Sequence, residues 1–252
     1  MNPNEALHWS DRWLNRHYFD RPGWINGTLQ FHRLCEEKIP AGVPILEVGP
    51  GPANGTSRLL ASIGPTHGVD IDPNAGTNPF LSSFHMLAGP TYPYPDESFA
   101  AVVSDYVIEH LVSPDAHLRE VVRVLRPGGV YLFRTPNLHH YVALAASSTP
   151  YWFHARVANW LRRLPATSHP PYPTFYRMNT RRAIRELAAS VGLDVSVLEM
   201  VEKEPSYART SRTFFLAGLA YERAVNRFAA FECCRANIFA VLEKLPAHAV
   251  SR

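Results

Sequence analysis

Residues 45–55 read I-L-E-V-G-P-G-P-A-N-G, and this stretch decides the fold. The apolar run at 45–48 predicts a short buried strand. Gly49 and Gly51 allow the backbone to turn sharply after that strand and to approach a ligand closely, which a Cβ atom would obstruct. A helix that begins after the turn would present free backbone N–H groups to the same ligand. We therefore expect a strand, a glycine turn and a helix that together bind a small molecule.

Strand and helix patterns alternate on both sides of this turn. Short apolar runs predict six further strands, at 66–72, 83–87, 99–104, 130–136, 195–200 and 237–244. Helical spacing of apolar residues predicts helices at 27–38, 56–64, 180–191 and 213–231, and one between the N-cap Ser113 and the Pro127-Gly128-Gly129 stop. Alternation favours parallel pairing. The expected fold class is α/β, a Rossmann-like, doubly wound, mostly parallel seven-stranded sheet with helices on both faces and an aromatic-rich insertion after the fifth strand.

Composition narrows the functional classes. The chain has 252 residues, 46% of them hydrophobic, which suffices for one sizeable core. Its formal charge of +3 gives no argument for nucleic acid. The charge is uneven, since residues 1–100 carry 6 basic and 10 acidic side chains and residues 101–252 carry 19 and 12. The basic half is either a solvated surface or a face for an anionic substrate or membrane.

The cysteines and the chain ends add little. Cys35, Cys233 and Cys234 form no disulfide framework and no metal-binding spacing, so no metal is predicted. The N-terminal residues lack the basic and apolar regions of a signal peptide, and no apolar run is long enough to span a membrane. A cytoplasmic location is expected.

The glycine turn separates two families of nucleotide-binding proteins. A dinucleotide dehydrogenase has G-x-G-x-x-G, whose third glycine would be Asn54 here. The pattern E-x-G-x-G instead resembles motif I of class I S-adenosylmethionine (SAM)-dependent methyltransferases, in the small-molecule, methyltransferase type 11-like branch. The resemblance implies that the methionine part of S-adenosyl-L-methionine is held by Glu47, Gly49, Pro50 and Gly51. A glycine common in the family two residues later is Ala53 in this chain.

Three further blocks follow in the order typical of that family. G-V-D-I-D-P at 68–73 resembles its second motif, which implies that Asp70 holds the ribose beside Ile71, while Asp72 is expected to cap the next turn. The block at 92–104 is similar to the family's, but Ala88 and Ala100 replace two common acids, so backbone groups near Leu87 and Ala88 are expected to meet the adenine. S-D-Y-V-I-E-H-L at 104–111 and V-L-R-P-G-G at 124–129 complete the resemblance, which places Asp105, Tyr106 and His110 beside the cofactor.

Residues 137–178 are long for a connection in this architecture and are rich in aromatic and arginine side chains. We expect them to form a lid over the acceptor, with a pocket lined by Trp152, Arg156, Trp160, Tyr176 and Arg177. The competing interpretation is an amphipathic segment that docks a partner or an anionic membrane. The lid and the docking interpretations are compatible if the acceptor is a lipid. General-base candidates, needed only for a hydroxyl acceptor, are His110, His139 and His140.

The resulting prediction is a SAM-dependent methyltransferase acting on a small-molecule acceptor that is apolar, aromatic or lipid-like and carries an acidic group. Two alternatives remain, a non-catalytic SAM- or nucleotide-binding protein that acts through residues 137–178 and, opposed by Asn54, an oxidoreductase. The partners are a small-molecule acceptor and a peripheral membrane contact, without nucleic acid. We expect one domain over 1–252, with an N-terminal helical cap (1–43), a SAM-binding core (44–136), the lid (137–178) and the rest of the sheet and helices (179–252).

Overall fold

Seven strands form one sheet in the order β3-β2-β1-β4-β5-β7-β6 in the computed structural model, which describes residues 8–147, 172–205 and 211–246. The strands are β1 Ile45–Val48, β2 Thr66–Asp70, β3 Ser83–Met86, β4 Phe99–Asp105, β5 Leu125–Pro136, β6 Leu193–Val201 and β7 Asn237–Lys244. Strands β1 to β5 pair in parallel, whereas β7 runs antiparallel to β5 and β6. The predicted mostly parallel seven-stranded sheet is confirmed.

Each predicted helix is present, the one at 27–38 with the predicted ends and the others with shifted ends. The α-helices in the described ranges are α1 Trp9–Leu14, α2 Gly27–Lys38, α3 Gly55–Ile63, α4 Pro114–Val124, α5 Tyr141–Ser147, α6 Arg181–Ser190 and α7 Arg212–Arg227. A π-helical turn follows α1 at Asn15–Phe19, and 3-10 turns occupy Pro73–Thr77, Ile108–His110 and Ala229–Cys234. Ser113 is the N-cap residue of α4 as expected, but its side chain makes no capping hydrogen bond. None of the described helices has the length and apolar character needed to cross a membrane.

The end of α4 differs from the prediction. The helix stops at Val124 and not at Pro127-Gly128-Gly129, because Leu125 already pairs with Phe99 of β4. The register then shifts by three residues between Phe99 and Ala101, so the proline and glycines form an irregular first part of β5. Pairing with the neighbouring strand therefore overrides the local signal for a helix stop.

Helices cover both faces of the sheet. On one face, Phe31 and Cys35 of α2 and Leu60 of α3 are fully buried against Ile45 and Leu132. On the other face, α4 and α6 pack on the sheet through Leu118, Val121, Ile184 and Ala188. Each large apolar side chain buried in this way stabilises the fold by about 1.5–3 kcal/mol. Because both faces are covered, the ends of the strands remain as the places where a ligand can enter.

The strand order reverses at β1, which pairs with β2 on one side and β4 on the other. In open α/β sheets, ligands bind beyond the carboxyl ends of the strands at this reversal point. The glycine turn after β1 lies there, between the ends of β2 and β4. Of the predicted acceptor residues, Trp152, Arg156 and Trp160 lie outside the described residues.

Candidate functional site

The glycine turn after β1 has the backbone conformation that its sequence predicts. Gly49 and Gly51 have φ angles of 69° and 57°, in the left-handed region that glycine adopts without strain. A Cβ atom on Gly49 would lie 2.5 Å from Cγ2 of Val107, whereas one on Gly51 would meet nothing within 4 Å. The first glycine therefore allows the close approach of the segment after β4, and the second keeps space open above the turn.

Asn54 fixes the turn to the start of α3. Its Oδ1 accepts the backbone N–H groups of Thr56 and Ser57, at 2.8 and 2.9 Å, as a helix N-cap does. Its Nδ2 donates to the carbonyl oxygen of Pro50 at 2.6 Å. Asn54 stands where a dinucleotide dehydrogenase has its third glycine. The side chain of Asn54 therefore stabilises the turn in a way that a glycine at this position cannot.

Glu47 is buried at the end of β1 below the turn, with 2% of its surface exposed. The Ser57 hydroxyl accepts from Asn54 Nδ2 and Asn78 Nδ2, each at 3.0 Å, which leaves its one hydrogen for Glu47. The other carboxyl oxygen of Glu47, Oε2, has no hydrogen-bond partner. A buried oxygen of this kind is costly, so it marks a place for a donor or a cation. Sequence reasoning missed Asn78, because nothing in N-A-G-T-N-P indicates that its amide points back at the turn.

Burial raises the pKa of Glu47 to about 7, and the nearby carboxylates of Asp105 and Asp70 add to the increase. The raised pKa means that the folded state prefers the neutral form. Stability therefore falls as the pH rises from the ordinary value of 4.5 to about 7. A bound cation would reverse this preference by stabilising the carboxylate.

Asp70 ends β2 directly beside the glycine turn. Its Oδ2 accepts the backbone N–H of Gly51 at 2.9 Å, and its Oδ1 accepts the N–H of Asp72 at 2.9 Å. Asp72 caps the 3-10 turn Pro73–Thr77 through the N–H of Asn74, as predicted. The side chain of Ile71 between them is 63% exposed. The two acids thus have different positions, and only Asp70 is bonded to the glycine turn.

A buried ion pair joins β4 to β5 behind the turn. Arg134 donates to both carboxylate oxygens of Asp105, with Nη2 to Oδ2 at 2.8 Å, and the side chains are 8% and 16% exposed. The hydroxyl of Thr56 donates to the same Oδ2 at 2.7 Å, and Arg134 Nη1 donates to the Thr28 hydroxyl at 2.9 Å. Asp105 therefore ties together β4, β5 and α3. Its predicted direct contact with the cofactor stays a prediction.

Tyr106 follows Asp105 directly after β4. Its φ angle is 58°, which is uncommon for a residue with a side chain. The Arg134 guanidinium lies 4.8 Å from the ring centre, and the hydroxyl donates to Asn237 Oδ1 at 3.0 Å. The residue remains 39% exposed, and its predicted packing on a nucleoside stays a prediction. Sequence reasoning missed Arg134, because an arginine inside an apolar strand gives no signal of its partner.

The end of β3 carries the predicted adenine contacts. Leu87 is half-buried, and its backbone N–H donates to the carbonyl oxygen of Asp70 at 2.7 Å. That N–H is thus used in joining β3 to β2. Ala88 is exposed at the same edge. A backbone contact with adenine would therefore rely on Ala88 or on the Leu87 carbonyl.

Residues 172–177, the described end of the predicted lid, run across the carboxyl edge of the sheet. The Tyr172 hydroxyl donates to Asp72 Oδ2 at 3.4 Å, beyond β2. The backbone N–H groups of Phe175 and Tyr176 both donate to the carbonyl oxygen of Glu109, at 2.7 and 3.2 Å. Arg177 donates to the carbonyl oxygen of Val112 and lies 5.7 Å from the Phe175 ring. We call residues 172–177 the strap.

The three histidine candidates lie in different environments. His110 Nδ1 is 2.8 Å from the carbonyl oxygen of Pro173 in the strap. Because a carbonyl oxygen can only accept, Nδ1 carries the ring hydrogen, and Nε2 of the neutral ring carries none. His139 is exposed, and its backbone N–H donates to Asn137 Oδ1. His140 is buried 3.6 Å from Glu202, and burial lowers its pKa to about 4 while raising that of Glu202 to about 8. Burial thus disfavours the charged form of both groups in this last pair, and of the three histidines His110 lies at the strap.

Glu109 is a site residue that sequence reasoning missed. It is buried, and burial raises its pKa to about 7. The Thr135 hydroxyl donates to its Oε2 at 2.9 Å, and its Oε1 lies 3.9 Å from His110 Nε2. The adjacent letters E-H in V-I-E-H-L are the only signal for it. Glu109 thus places a buried carboxyl beside His110.

Comparison with known proteins gives one family and several relatives. Residues 46–133 match the sequence model of a methyltransferase domain. A fatty-acid O-methyltransferase of Mycolicibacterium smegmatis is 32% identical over 111 residues, which cover 41% of this chain and 40% of that protein. A phthiotriol/phenolphthiotriol dimycocerosates methyltransferase of Mycobacterium tuberculosis is 30% identical over 109 residues, covering 40% of each chain. The match thus spans about 40% of the length of these curated relatives.

Solved structures show the same fold. The cyclase SpnF superposes with a TM-score of 0.55 at 16% identity, covering 90% of this chain and 85% of that chain. Phosphoethanolamine N-methyltransferase 2 of Haemonchus contortus, solved with phosphomonomethylethanolamine and S-adenosylhomocysteine, gives a TM-score of 0.54 at 17% identity, covering 87% and 53%. At these identities the likeness concerns the fold alone. A cyclase among the neighbours means that the reaction must be argued from the site.

Proposed function

We propose that this protein transfers a methyl group from S-adenosyl-L-methionine to a small, lipid-like acceptor, because residues 46–133 match the sequence model of a methyltransferase domain. The observation that carries the proposal is the unpartnered buried oxygen of Glu47 beside the glycine turn and Asp70. The predicted organisation, one domain with a lid over 137–178, is part of the proposal.

The residues at the carboxyl edge suit this cofactor. When bound, S-adenosyl-L-methionine supplies a methyl group on a positively charged sulfur. Glu47 provides the buried carboxylate for a cationic group, and the open space above Gly51 admits the ligand. Asp70 provides a carboxylate that can accept two ribose hydroxyls. The exposed surfaces of Ile71 and Tyr106 provide apolar contacts for the nucleoside.

The acceptor side is proposed to lie under the strap. The strap contributes exposed Tyr172 and Phe175, the half-buried Tyr176 and the cation of Arg177. An apolar acceptor that carries an acidic group fits this combination. One similar protein is named a fatty-acid O-methyltransferase and another a phthiotriol/phenolphthiotriol dimycocerosates methyltransferase, which supports the same class of acceptor.

The protein's contribution to the reaction is mainly positioning, which can be worth about 7–11 kcal/mol in reactions of this kind. Holding the acceptor in line with the methyl group is the task of the strap. A carboxylate acceptor is already ionised near pH 7 and needs no base. For a hydroxyl acceptor, His110 Nε2 is the proposed base, with the Nδ1 hydrogen fixed on Pro173. Such assistance adds about 10²–10⁴-fold to the rate.

The proposal is tested by calorimetry and an acceptor screen. We expect SAM and its demethylated product to bind with micromolar dissociation constants, about −8 kcal/mol, and NADH not to bind. Labelled SAM with fatty acids and hydroxylated lipids should then identify the acceptor. NADH binding without SAM binding would contradict the assignment of the cofactor.

The raised pKa of Glu47 predicts a pH dependence of SAM binding. A cation near the carboxylate lowers its pKa in the complex, so affinity should rise roughly 5- to 10-fold between pH 6 and pH 8 as the free protein ionises through about 7. Calorimetry on Glu47→Gln should give weaker binding with a flat profile. An unchanged slope in that variant would show that Glu47 does not meet the cationic part of the ligand.

If the strap binds the acceptor, substitutions in it should change the acceptor KM and leave SAM affinity nearly unchanged. Arg177→Ala should raise the acceptor KM roughly 10- to 150-fold, since a lost charged hydrogen bond costs about 1.5–3 kcal/mol. Tyr176→Ala should also raise the acceptor KM, through lost apolar contact, and in both variants SAM affinity should change less than twofold. Arg182→Ala, an exposed arginine on α6, is the matched control. If the segment docks on a membrane instead, the strap variants keep full activity on a soluble acceptor and lose binding to anionic vesicles.

The non-catalytic alternative is favoured by the absence of the two common acids at Ala88 and Ala100. It predicts SAM binding without transfer to any acceptor. Recovery of methylated product from the screen decides between the two candidates.

A further inference from the structure

Two neighbouring thiols lie at the end of the 3-10 turn Ala229–Cys234. The Sγ atoms of Cys233 and Cys234 are 3.8 Å apart, Cys233 is exposed and Cys234 is half-buried. Cys35 differs, because it is fully buried in α2 and burial raises the pKa of its thiol. Reactivity of a thiol requires access and ionisation, so the chain has one accessible pair and one inert cysteine.

We propose that Cys233 and Cys234 form a dithiol site that small-molecule disulfides oxidise reversibly. The Cys233 thiolate attacks one sulfur of the small disulfide, whose S–S bond breaks, and a first small thiol leaves. The Cys234 thiolate then attacks the Cys233 sulfur, which forms the Cys233–Cys234 bond and releases a second small thiol. Two electrons pass from the pair to the small disulfide, and the two protons of the pair end on the released thiols.

Geometry makes the product reducible. Adjacent Cα atoms lie about 3.8 Å apart across a trans peptide, which is shorter than the roughly 4.4–6.8 Å of ordinary disulfides. The bond would therefore be strained, and strained exposed disulfides are those that reducing thiols open readily. The site is thus suited to repeated oxidation and reduction.

Closing the pair would disturb two hydrogen bonds. The sulfurs must approach from 3.8 Å to about 2.05 Å, which requires the turn to move. The carbonyl oxygen of Cys233 accepts from Asn137 Nδ2 at 2.7 Å, and that of Cys234 accepts from the Tyr221 hydroxyl at 2.5 Å. Oxidation should therefore weaken the hold on Asn137 and Tyr221.

These two residues hold the chain that leaves β5. Asn137 Oδ1 accepts the backbone N–H of His139, and the Tyr221 ring lies 5.7 Å from that of His140 and 5.0 Å from that of Tyr141. Residues 137–141 begin the proposed lid. The ratio of small disulfides to thiols around the protein would thus affect the lid over the acceptor. This link rests on the proposed function.

Mass spectrometry tests the chemistry without any methyl transfer. After treatment of the folded protein with oxidised glutathione, we expect the loss of two hydrogen atoms, protection of Cys233 and Cys234 from alkylation, and reversal by dithiothreitol. Cys35→Ser should behave in the same way. Cys234→Ser should stop at the glutathione adduct on Cys233, and Cys233→Ser, which lacks the attacking thiol, should stay unmodified. Full alkylation of the treated protein, or a stable adduct in the unmodified sequence, would overturn the proposal.

Hydrogen exchange tests the coupling. Oxidised protein should exchange the amides of residues 137–144 at least several-fold faster than reduced protein, while Cys233→Ser treated with the same oxidant should show no change. Oxidation of the pair with unchanged exchange in this segment would refute the coupling, whatever the methyl-transfer assays give.

Discussion

Replacing Asp70 with alanine is expected to weaken SAM binding roughly 10- to 150-fold with little change in thermal stability. The carboxylate accepts the Gly51 N–H at the glycine turn, and its two oxygens suit the two ribose hydroxyls. Loss of hydrogen bonds to a charged group costs about 1.5–3 kcal/mol, which corresponds to this change in the dissociation constant. Calorimetry with SAM measures it.

Asp72→Ala is the matched control for Asp70. Asp72 lies two residues from Asp70, and its carboxylate caps the next turn and accepts a hydrogen bond from the Tyr172 hydroxyl. We expect it to change SAM affinity less than threefold. If Asp72→Ala weakens binding and Asp70→Ala does not, the wrong acid has been assigned to the ribose. A circular dichroism melt of both variants separates loss of binding from loss of fold.

Replacing Arg134 with methionine is expected to lower the free energy of unfolding by about 3–5 kcal/mol. The reason is that Asp105, 16% exposed, would keep its charge without the guanidinium that pairs with it. In a chain of this size, such a loss lowers Tm by roughly 10 °C. Denaturant unfolding and a thermal melt give the two values.

Two further variants control for the Arg134 result. Arg119→Met removes an exposed ion pair with Asp115 and should cost less than about 1 kcal/mol. Arg134→Met combined with Asp105→Leu should recover at least half of the lost stability, because no unpaired charge remains buried. A double variant as unstable as the single one would mean that packing of the arginine on Tyr106 and Phe31, and not its charge, holds the site together.

The pH behaviour of the site follows from its buried acids. Burial raises the pKa of Glu47 and Glu109 to about 7 and that of Glu202 to about 8. None of these shifts could be predicted from the sequence, where the three residues are ordinary glutamates in apolar or mixed surroundings. Only the packing of neighbouring elements removes water from them and sets their ionisation.

The sequence by itself determined the sheet and the position of the candidate site, because local pattern carries both. Apolar runs and helical spacing set the strands and helices. Parallel pairing then brings the carboxyl ends of β1, β2 and β4 together, whichever polar side chains follow them. The glycines at 49 and 51 and the acid at 70 therefore lie where the motifs place them.

The tertiary structure alone decided the partners of the polar groups. Arg134 pairs with Asp105, Asn78 reaches Ser57 from a distant turn, and the strap is held by the carbonyl oxygen of Glu109. It also ended α4 at Val124, earlier than its glycines indicate, through pairing with β4. Such contacts join residues far apart in the chain, and their energy depends on distance and burial in three dimensions, which no local pattern of residues records.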